Sequence, residues 1–213
     1  MQLALWQLAA LLAALVVALV VAELLERPRL RAILKTVASV TFVVAGALLL
    51  PLSASAGWLV LAGLALSLLG DVALIPKGSK PLFLGGLGAF LAAHLCYAAA
   101  FVVLGQAPPH ALGAAAVLVA VGVPLARWLA RHVKGSMRAP VAGYVVAITA
   151  MVALAAGAVG AGARPTLLIG AVLFYLSDLC VARERFVVRS RWNAAVGLPL
   201  YYAAQLLLID GVR

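Results

Sequence analysis

The sequence predicts an all-α, polytopic membrane protein, a bundle of eight transmembrane helices, and three observations support this fold class. Hydrophobic residues make up 67% of the 213 residues, charged residues only 10%, and the mean hydropathy is +1.19. A soluble domain is usually about half apolar and about a quarter charged, so this chain has more apolar surface than its own core can bury. The apolar residues also fall into runs of membrane-spanning length.

These runs define the individual elements. A spanning helix needs about 20 mostly apolar residues. Segments that meet this requirement cover residues 3–22, 31–50, 56–75, 82–104, 111–130, 139–158, 165–182 and 192–210. The connections between them contain Pro, Gly and Arg, and none is long enough for a separate soluble domain. We therefore expect residues 1–213 to form a single transmembrane domain.

The distribution of basic residues predicts the orientation. Of the sixteen Lys and Arg, fourteen lie in or beside the connections 1–2, 3–4, 5–6 and 7–8, and only Arg164 and Arg213 lie on the opposite side. Basic connections stay cytoplasmic, so both termini are expected to be extracytoplasmic. The same connections account for the net charge of +10, which therefore does not indicate nucleic-acid binding.

Two aspartates lie inside predicted spans, in the stretches LSLLGDVALIP (66–76) and LFYLSDLCVA (173–182). Ionisable residues within a bilayer are costly and usually face the bundle interior or a wet cavity. Asp71 and Asp178 each lie about one helical turn from the predicted cytoplasmic end, or roughly 6 Å into the helix at 1.5 Å per residue. Their similar depth suggests that they face one cavity.

Further polar side chains fall at comparable or middle depth on the other spans. They are Lys35, His94, Tyr97, Tyr144, Tyr201, Tyr202 and Gln205. Together with the two aspartates they come from six of the eight predicted helices, whereas the outer half of the bundle has almost none. This pattern predicts a pocket that opens towards the cytoplasmic leaflet.

Each polar residue also has a purely structural interpretation. Asp71 would pair with Lys77, and Asp178 with Arg183 or Arg185. Lys35 would extend to the interface, His94 would be a hydrogen-bonded packing group, and the tyrosines at 144 and 202 would belong to an interfacial aromatic belt. Cys96 and Cys180 lie within apolar runs and resemble small buried hydrophobes rather than metal ligands or disulfide partners.

Four segments resemble a known family. LLGDVALIP (68–76), FLGGLGAFLAAHLCYAAAF (83–101), FYLSDLCVARERF (174–186) and YYAAQLLL (201–208), in this order, are similar to the YhhN-type membrane proteins, the lysoplasmalogenase family. The resemblance implies eight transmembrane helices and hydrolysis of the vinyl-ether bond of lysoplasmalogens, with a lysophospholipid as substrate and membrane lipid around the chain. The products would be a fatty aldehyde and glycerophosphoethanolamine or glycerophosphocholine. Family members often have Lys-Pro where this chain has Lys35-Thr36.

The residues suit that chemistry. Vinyl-ether hydrolysis needs a proton donor for the outer alkene carbon and a carboxylate that steadies the oxocarbenium ion and activates water, as in a glycosidase. Asp71 and Asp178 are the expected catalytic pair, with either one as the acid. Lys35 or loop arginines would hold the phosphate, and the other polar side chains named above would orient water and substrate. No cofactor or metal is expected.

Two other functions fit the two intramembrane aspartates. A proton- or cation-coupled transporter of small molecules or lipids would use them as ion sites, but no inverted repeat is evident. An intramembrane aspartyl protease would use them as its dyad, but Leu68 occupies the position where a glycine is expected and no Pro-Ala-Leu segment follows. The expected location is the inner (cytoplasmic) membrane of a bacterium, with the site towards its cytoplasmic half. The sequence does not indicate an oligomeric state.

Overall fold

The computed structural model of the protein describes residues 2–76 and 78–213, with side chains from residue 6 onwards. Its elements are α1 (Gln2–Leu24), α2 (Pro28–Leu49), α3 (Ser55–Ala73), α4 (Lys80–Val103), α5 (Pro108–Ala130), α6 (Arg138–Gly160), α7 (Pro165–Ala182) and α8 (Arg191–Val212). A 3₁₀ turn (Gly135–Met137) precedes α6, and a π-helical turn (Arg183–Val187) extends α7. No β-strand occurs among these residues.

All eight helices are long and apolar enough to cross a membrane, which confirms the predicted fold class. Their ends lie within three residues of the predicted limits. Proline occupies the first turn of α2, α4, α5 and α7, where its missing N–H would have no intrahelical partner in any case. The side chains of Ser79 and Ser190 cap α4 and α8 by accepting hydrogen bonds from backbone N–H groups. The chain is therefore an integral membrane protein.

Seven of the helices form a closed ring. In the series α1, α2, α3, α4, α6, α7 and α8, each helix contacts the next, and α8 contacts α1. α8 also contacts α2 and α3, so it reaches into the middle of the bundle. α5 packs against α6 outside this ring, and of its residues only Leu129 is buried.

The core and the surface of the bundle are both apolar. Phe42, Leu64, Tyr97, Phe174 and Leu208 are among the fully buried side chains, while large hydrophobic side chains also cover the outside of the helices. In a bilayer such exposed apolar surface faces lipid tails. The buried polar side chains are the exceptions that locate the functional site, and they are Ser39, Ser67, Asp71, His94, Ser177, Asn193 and Gln205.

Two close helix contacts position these polar groups. A Cβ atom on Gly70 would lie 2.6 Å from the ring of Phe90, so only glycine lets this ring pack against α3 next to Asp71. A Cβ atom on Gly197 would lie 2.9 Å from the Cβ atom of Cys180, which brings α8 close to the end of α7. Small residues at such contacts are typical of packed membrane helices.

Candidate active site

A cavity of about 1020 Å³ lies within one end of the bundle. Exposed residues of the α1–α2, α3–α4 and α7–α8 connections line its outer part, among them Arg27, Gly78 and Arg189, so the cavity opens at this end. Its wall includes Leu19, Leu87 and further apolar side chains. Both predicted catalytic residues line it, as do Lys35, Tyr144 and Tyr201.

Both carboxylate oxygens of Asp71 have polar partners. The Lys35 ammonium lies 3.1 Å from Oδ1, while Oδ2 accepts hydrogen bonds from the hydroxyls of Ser39 at 2.6 Å and Tyr201 at 2.7 Å. Only 2% of the residue is exposed. A buried carboxylate is costly unless it is paired and hydrogen-bonded, and here one cation and two hydroxyls meet that requirement.

α2 supplies this arrangement because Lys35 and Ser39 are one turn apart and point to the same side of the helix. Tyr202 supports them from α8. Its hydroxyl lies 3.1 Å from Ser39 Oγ and donates to the carbonyl oxygen of Lys35 at 3.2 Å. Four helix positions on α2 and α8 therefore fix the geometry around a single carboxylate on α3.

Asp178 has a different set of partners. The Tyr144 hydroxyl donates to Oδ2 at 2.8 Å, and His94 Nε2 lies 3.4 Å from the same oxygen. The side chain is 16% exposed, compared with 3% for the Asp71 side chain. Both contacts go to Oδ2, so Oδ1 is the oxygen that the described residues leave open to a ligand.

His94 is almost completely buried and is oriented by its own helix. Its Nδ1 lies 2.6 Å from the carbonyl oxygen of Phe90, one turn earlier on α4. The ring packs edge-on against Phe174 and Tyr144, with centroid distances of 4.6 and 5.2 Å. Nε2 has no hydrogen-bond partner within the described part of the chain.

Aromatic rings connect the surroundings of the two aspartates. Tyr201, which donates to Asp71, packs edge-on against Phe90 and Phe174 with centroid distances of 5.9 and 5.3 Å. Phe174 in turn contacts His94, which lies beside Asp178. These rings place apolar surface beside the polar groups.

A second polar cluster lies one helical turn beyond Asp71 and Tyr201. The Tyr97 hydroxyl donates to Gln205 Oε1 at 2.8 Å and lies 3.4 Å from Ser67 Oγ. Four of the predicted substrate-binding residues, His94, Tyr97, Tyr202 and Gln205, are not among the residues that line the cavity. The structure places them behind the cavity wall.

The structural alternatives for the aspartates are resolved in part. Arg183 donates to Asn193 Oδ1 at 2.6 Å, and the Arg185 guanidinium lies 4.2 Å from the centroid of the Phe83 ring, so both arginines have other contacts than Asp178. Pairing of Asp71 with Lys77 lies outside the described residues.

Sequence reasoning missed the acidic residues near the mouth. Of the six Asp and Glu in the chain, five line the cavity, because Glu23, Glu26 and Glu184 join the two aspartates. Glu184 accepts hydrogen bonds from the backbone N–H of Ser190 and the side chain of Asn193, which ties the α7–α8 connection to the start of α8. The chain has only six acidic residues, and this scarcity was the signal that could have marked each of them as a candidate for the site.

The fold and the site define an integral membrane protein in which two carboxylates with unlike surroundings line one cavity that is open at one end. The family model of the YhhN family matches residues 30–212. The chain therefore belongs to the YhhN family.

Curated relatives extend this finding. A lysoplasmalogenase of Mycobacterium bovis and one of Mycobacterium tuberculosis are each 36% identical over 170 residues, which are 76% of this chain and 62% of theirs. The lysoplasmalogenase TMEM86B of Mus musculus is 33% identical over 156 residues, 73% of this chain and 63% of its own. The chain thus spans less than two thirds of the length of these relatives. No solved structure matches it.

Proposed function

We propose that this protein is a lysoplasmalogenase that hydrolyses the vinyl-ether bond of lysoplasmenylethanolamine or lysoplasmenylcholine. The products are a fatty aldehyde and glycerophosphoethanolamine or glycerophosphocholine. The names of its curated relatives support this proposal. The observation that carries it in the structure is the pair of carboxylates, Asp71 and Asp178, which line one cavity with different partners.

The chemistry divides between two such groups. One group donates a proton to the outer alkene carbon, and the ether oxygen then shares its electrons to form an oxocarbenium ion. A carboxylate nearby stabilises this cation and helps water to add, after which the hemiacetal breaks down to aldehyde and alcohol. Asp71, with Lys35 balancing its charge, suits the role of a permanent carboxylate, and the partners of Asp178 suit a group that exchanges a proton.

The cavity also suits the substrate. Its volume of about 1020 Å³ is just above the usual range for ligand pockets, about 300–1,000 Å³. Its apolar wall would accept an alkenyl chain. Because Lys35 already contacts Asp71, the phosphate is better assigned to arginines of the α7–α8 connection. Arg185 and Arg189 both line the cavity, and guanidinium groups bind phosphate through paired hydrogen bonds.

Incubation of the purified protein with lysoplasmenylethanolamine tests the function directly. Free aldehyde is expected from this substrate, whereas the matched control lipid with a saturated ether chain should release none because it has no alkene carbon to protonate. Absence of aldehyde, combined with uptake of the lipid or of an ion into vesicles that contain the protein, would favour the transporter.

The location of the site is part of the same proposal. The sequence puts fourteen basic residues in or beside the connections 1–2, 3–4, 5–6 and 7–8 and two on the opposite side, which supports a cytoplasmic mouth in a bacterial inner membrane. A reporter fused after Arg213 should then behave as extracytoplasmic. A cytoplasmic reporter signal would reverse the orientation.

A further inference from the structure

The tautomer of His94 follows from its surroundings. The carbonyl oxygen of Phe90, 2.6 Å from Nδ1, can only accept a hydrogen bond, so Nδ1 carries the hydrogen. In a neutral imidazole the other nitrogen is then a bare acceptor. Nε2 of His94 therefore presents a lone pair to whatever lies next to it.

The neighbour of this lone pair is another acceptor. Asp178 Oδ2 lies 3.4 Å from Nε2, and the hydrogen bond that Oδ2 accepts comes from the Tyr144 hydroxyl rather than from the histidine. A negative carboxylate and a nitrogen lone pair repel each other, and burial leaves little water to reduce this repulsion. Beside a neutral imidazole, this repulsion is smallest when Asp178 is protonated, because the carboxyl group then has no negative charge.

We propose that His94 is a positioning residue that keeps a proton on Asp178 and so makes Asp178 the proton donor of the reaction, an inference that rests on the proposed lysoplasmalogenase function. Tyr144 donates to Oδ2, which makes Oδ2 the carbonyl oxygen of the neutral acid. The hydroxyl hydrogen is then on Oδ1, the oxygen left to face a substrate. Asp71, beside the Lys35 ammonium, remains the carboxylate.

Asp178 regains its proton within each cycle. The Asp178 O–H bond breaks as the alkene electron pair forms a C–H bond at the outer carbon, and an ether lone pair completes the oxocarbenium ion. Water adds to this ion and its released proton goes back to Asp178. The hemiacetal hydroxyl then loses its proton as the bond to the glyceryl oxygen breaks, and that oxygen is protonated to the alcohol.

The titrating side chains around the His94–Asp178 pair include Tyr97 on α4, Tyr144 on α6, Cys180 on α7 and Tyr201 on α8. The same cavity holds the Lys35–Asp71 pair, Tyr175 and, towards its mouth, Glu184, Arg185 and Arg189, while Arg183 lies near Cys180. Within the described residues no lysine or arginine contacts Asp178, so no cation offsets the effect of the bare nitrogen.

Spectroscopy tests the proton without any turnover. In protein labelled with ¹⁵N-histidine, with the other two histidines replaced, His94 should show a protonated Nδ1 and a bare Nε2. Infrared spectra should contain the C=O band of a buried carboxylic acid, and this band should be missing from Asp178→Asn. A doubly protonated imidazole, or the absence of that band, would overturn the proposal.

Kinetics supply a second test. His94→Asn keeps a side-chain donor near the Phe90 carbonyl and removes Nε2, so aldehyde release at neutral pH should fall by at least about tenfold. The deficit should shrink as the pH is lowered, because bulk protons then reload Asp178. A loss by the same factor at every pH would mean a structural role only and would overturn the proposal.

His132→Asn is the matched control. His132 makes the same contact with a carbonyl one turn earlier, from Nδ1 to Trp128 at 3.1 Å, but it is exposed and lies outside the cavity. This variant should behave as the unmodified protein at every pH. If the unmodified protein releases no aldehyde from lysoplasmenylethanolamine, the proposed function fails, while the spectroscopic result still decides where the proton lies.

Discussion

Asp71 and Asp178 occupy similar places in the fold but very different surroundings. Each lies within about one turn of the end of its helix, α3 or α7, and each lines the same cavity. The first is enclosed by an ammonium group and two hydroxyls. The second meets one hydroxyl and a bare imidazole nitrogen, and one of its oxygens is left for a ligand.

The difference teaches that side-chain partners assign the chemical role of a residue. In the proposed mechanism, the same carboxyl group is a fixed negative charge beside Lys35 and a proton carrier beside His94. Enzymes commonly separate acid and base roles in this way, by giving two identical groups different environments. The variants below are ordered from the largest expected effect to the smallest.

Replacing Asp178 with Asn should cause the largest loss of activity. The amide keeps the shape of the side chain and removes the proton donor, and general acid–base catalysis is typically worth about 10²–10⁴ in rate. Aldehyde release should fall by at least about a hundredfold, while the thermal unfolding temperature changes little. Ordinary turnover by well-folded Asp178→Asn would return this residue to a structural role.

The pH profile sharpens the same prediction. With Asp178 as the acid, aldehyde release by the unmodified protein should fall as the pH rises, because the donor loses its proton. The residual activity of Asp178→Asn should lack this dependence. An identical fall in both proteins would assign the titrating group to another residue.

Replacing Asp71 with Asn should reduce activity and stability together. It leaves the Lys35 ammonium in a largely buried position without its counter-charge, and breaking a buried ion pair on one side typically costs about 3–5 kcal/mol. Denaturant unfolding in detergent measures this free energy. The double variant Lys35→Met with Asp71→Asn should recover much of the stability but not the activity.

An unchanged free energy of unfolding in Asp71→Asn would show that water, rather than the protein, already compensates the Lys35 charge. The contrast between the two aspartates would then be smaller than the geometry indicates.

The two tyrosines test the contrast with smaller changes. Tyr201→Phe removes a hydrogen bond to a charged carboxylate, worth about 1.5–3 kcal/mol, whereas Tyr144→Phe removes one to a neutral acid, worth about 0.5–1.5 kcal/mol. The free energy of unfolding should therefore fall more for Tyr201→Phe. The opposite order would place the permanent charge on Asp178.

Replacing Cys96 with Ala should have the smallest effect. The thiol is partly exposed and neither catalytic role calls for one. Aldehyde release and unfolding temperature should match those of the unmodified protein. A large loss of activity in this variant would show that the proposed assignment of roles omits an essential group on α4.

Much of the fold was predictable from local sequence. Eight helices follow from eight long apolar runs, and proline in the first turn of four helices marks where they begin. The depth of Asp71 and Asp178 also follows from counting residues to the end of each run. The expectation that both face one cavity is confirmed, because each lines it.

The partners of each polar side chain were not predictable. Lys35 was expected to hold a phosphate or to extend to the interface, but it contacts Asp71, which lies on the next helix. His94 and Asp178 are likewise joined only by the packing of α4 near α7. Such contacts depend on how each helix is rotated about its axis and on which helices are neighbours.

The sequence by itself determined the membrane-spanning helices, the depth of their polar residues and the end of the bundle that carries the basic connections, since length, hydropathy and charge are local properties. Only the tertiary structure decided that α5 lies outside the ring and that the two aspartates have different partners. The physical reason is that lipid and protein interior are both apolar. Leu48 and Val146 on the outside are as hydrophobic as Leu64 in the core, so hydropathy does not show which side of a helix faces inwards.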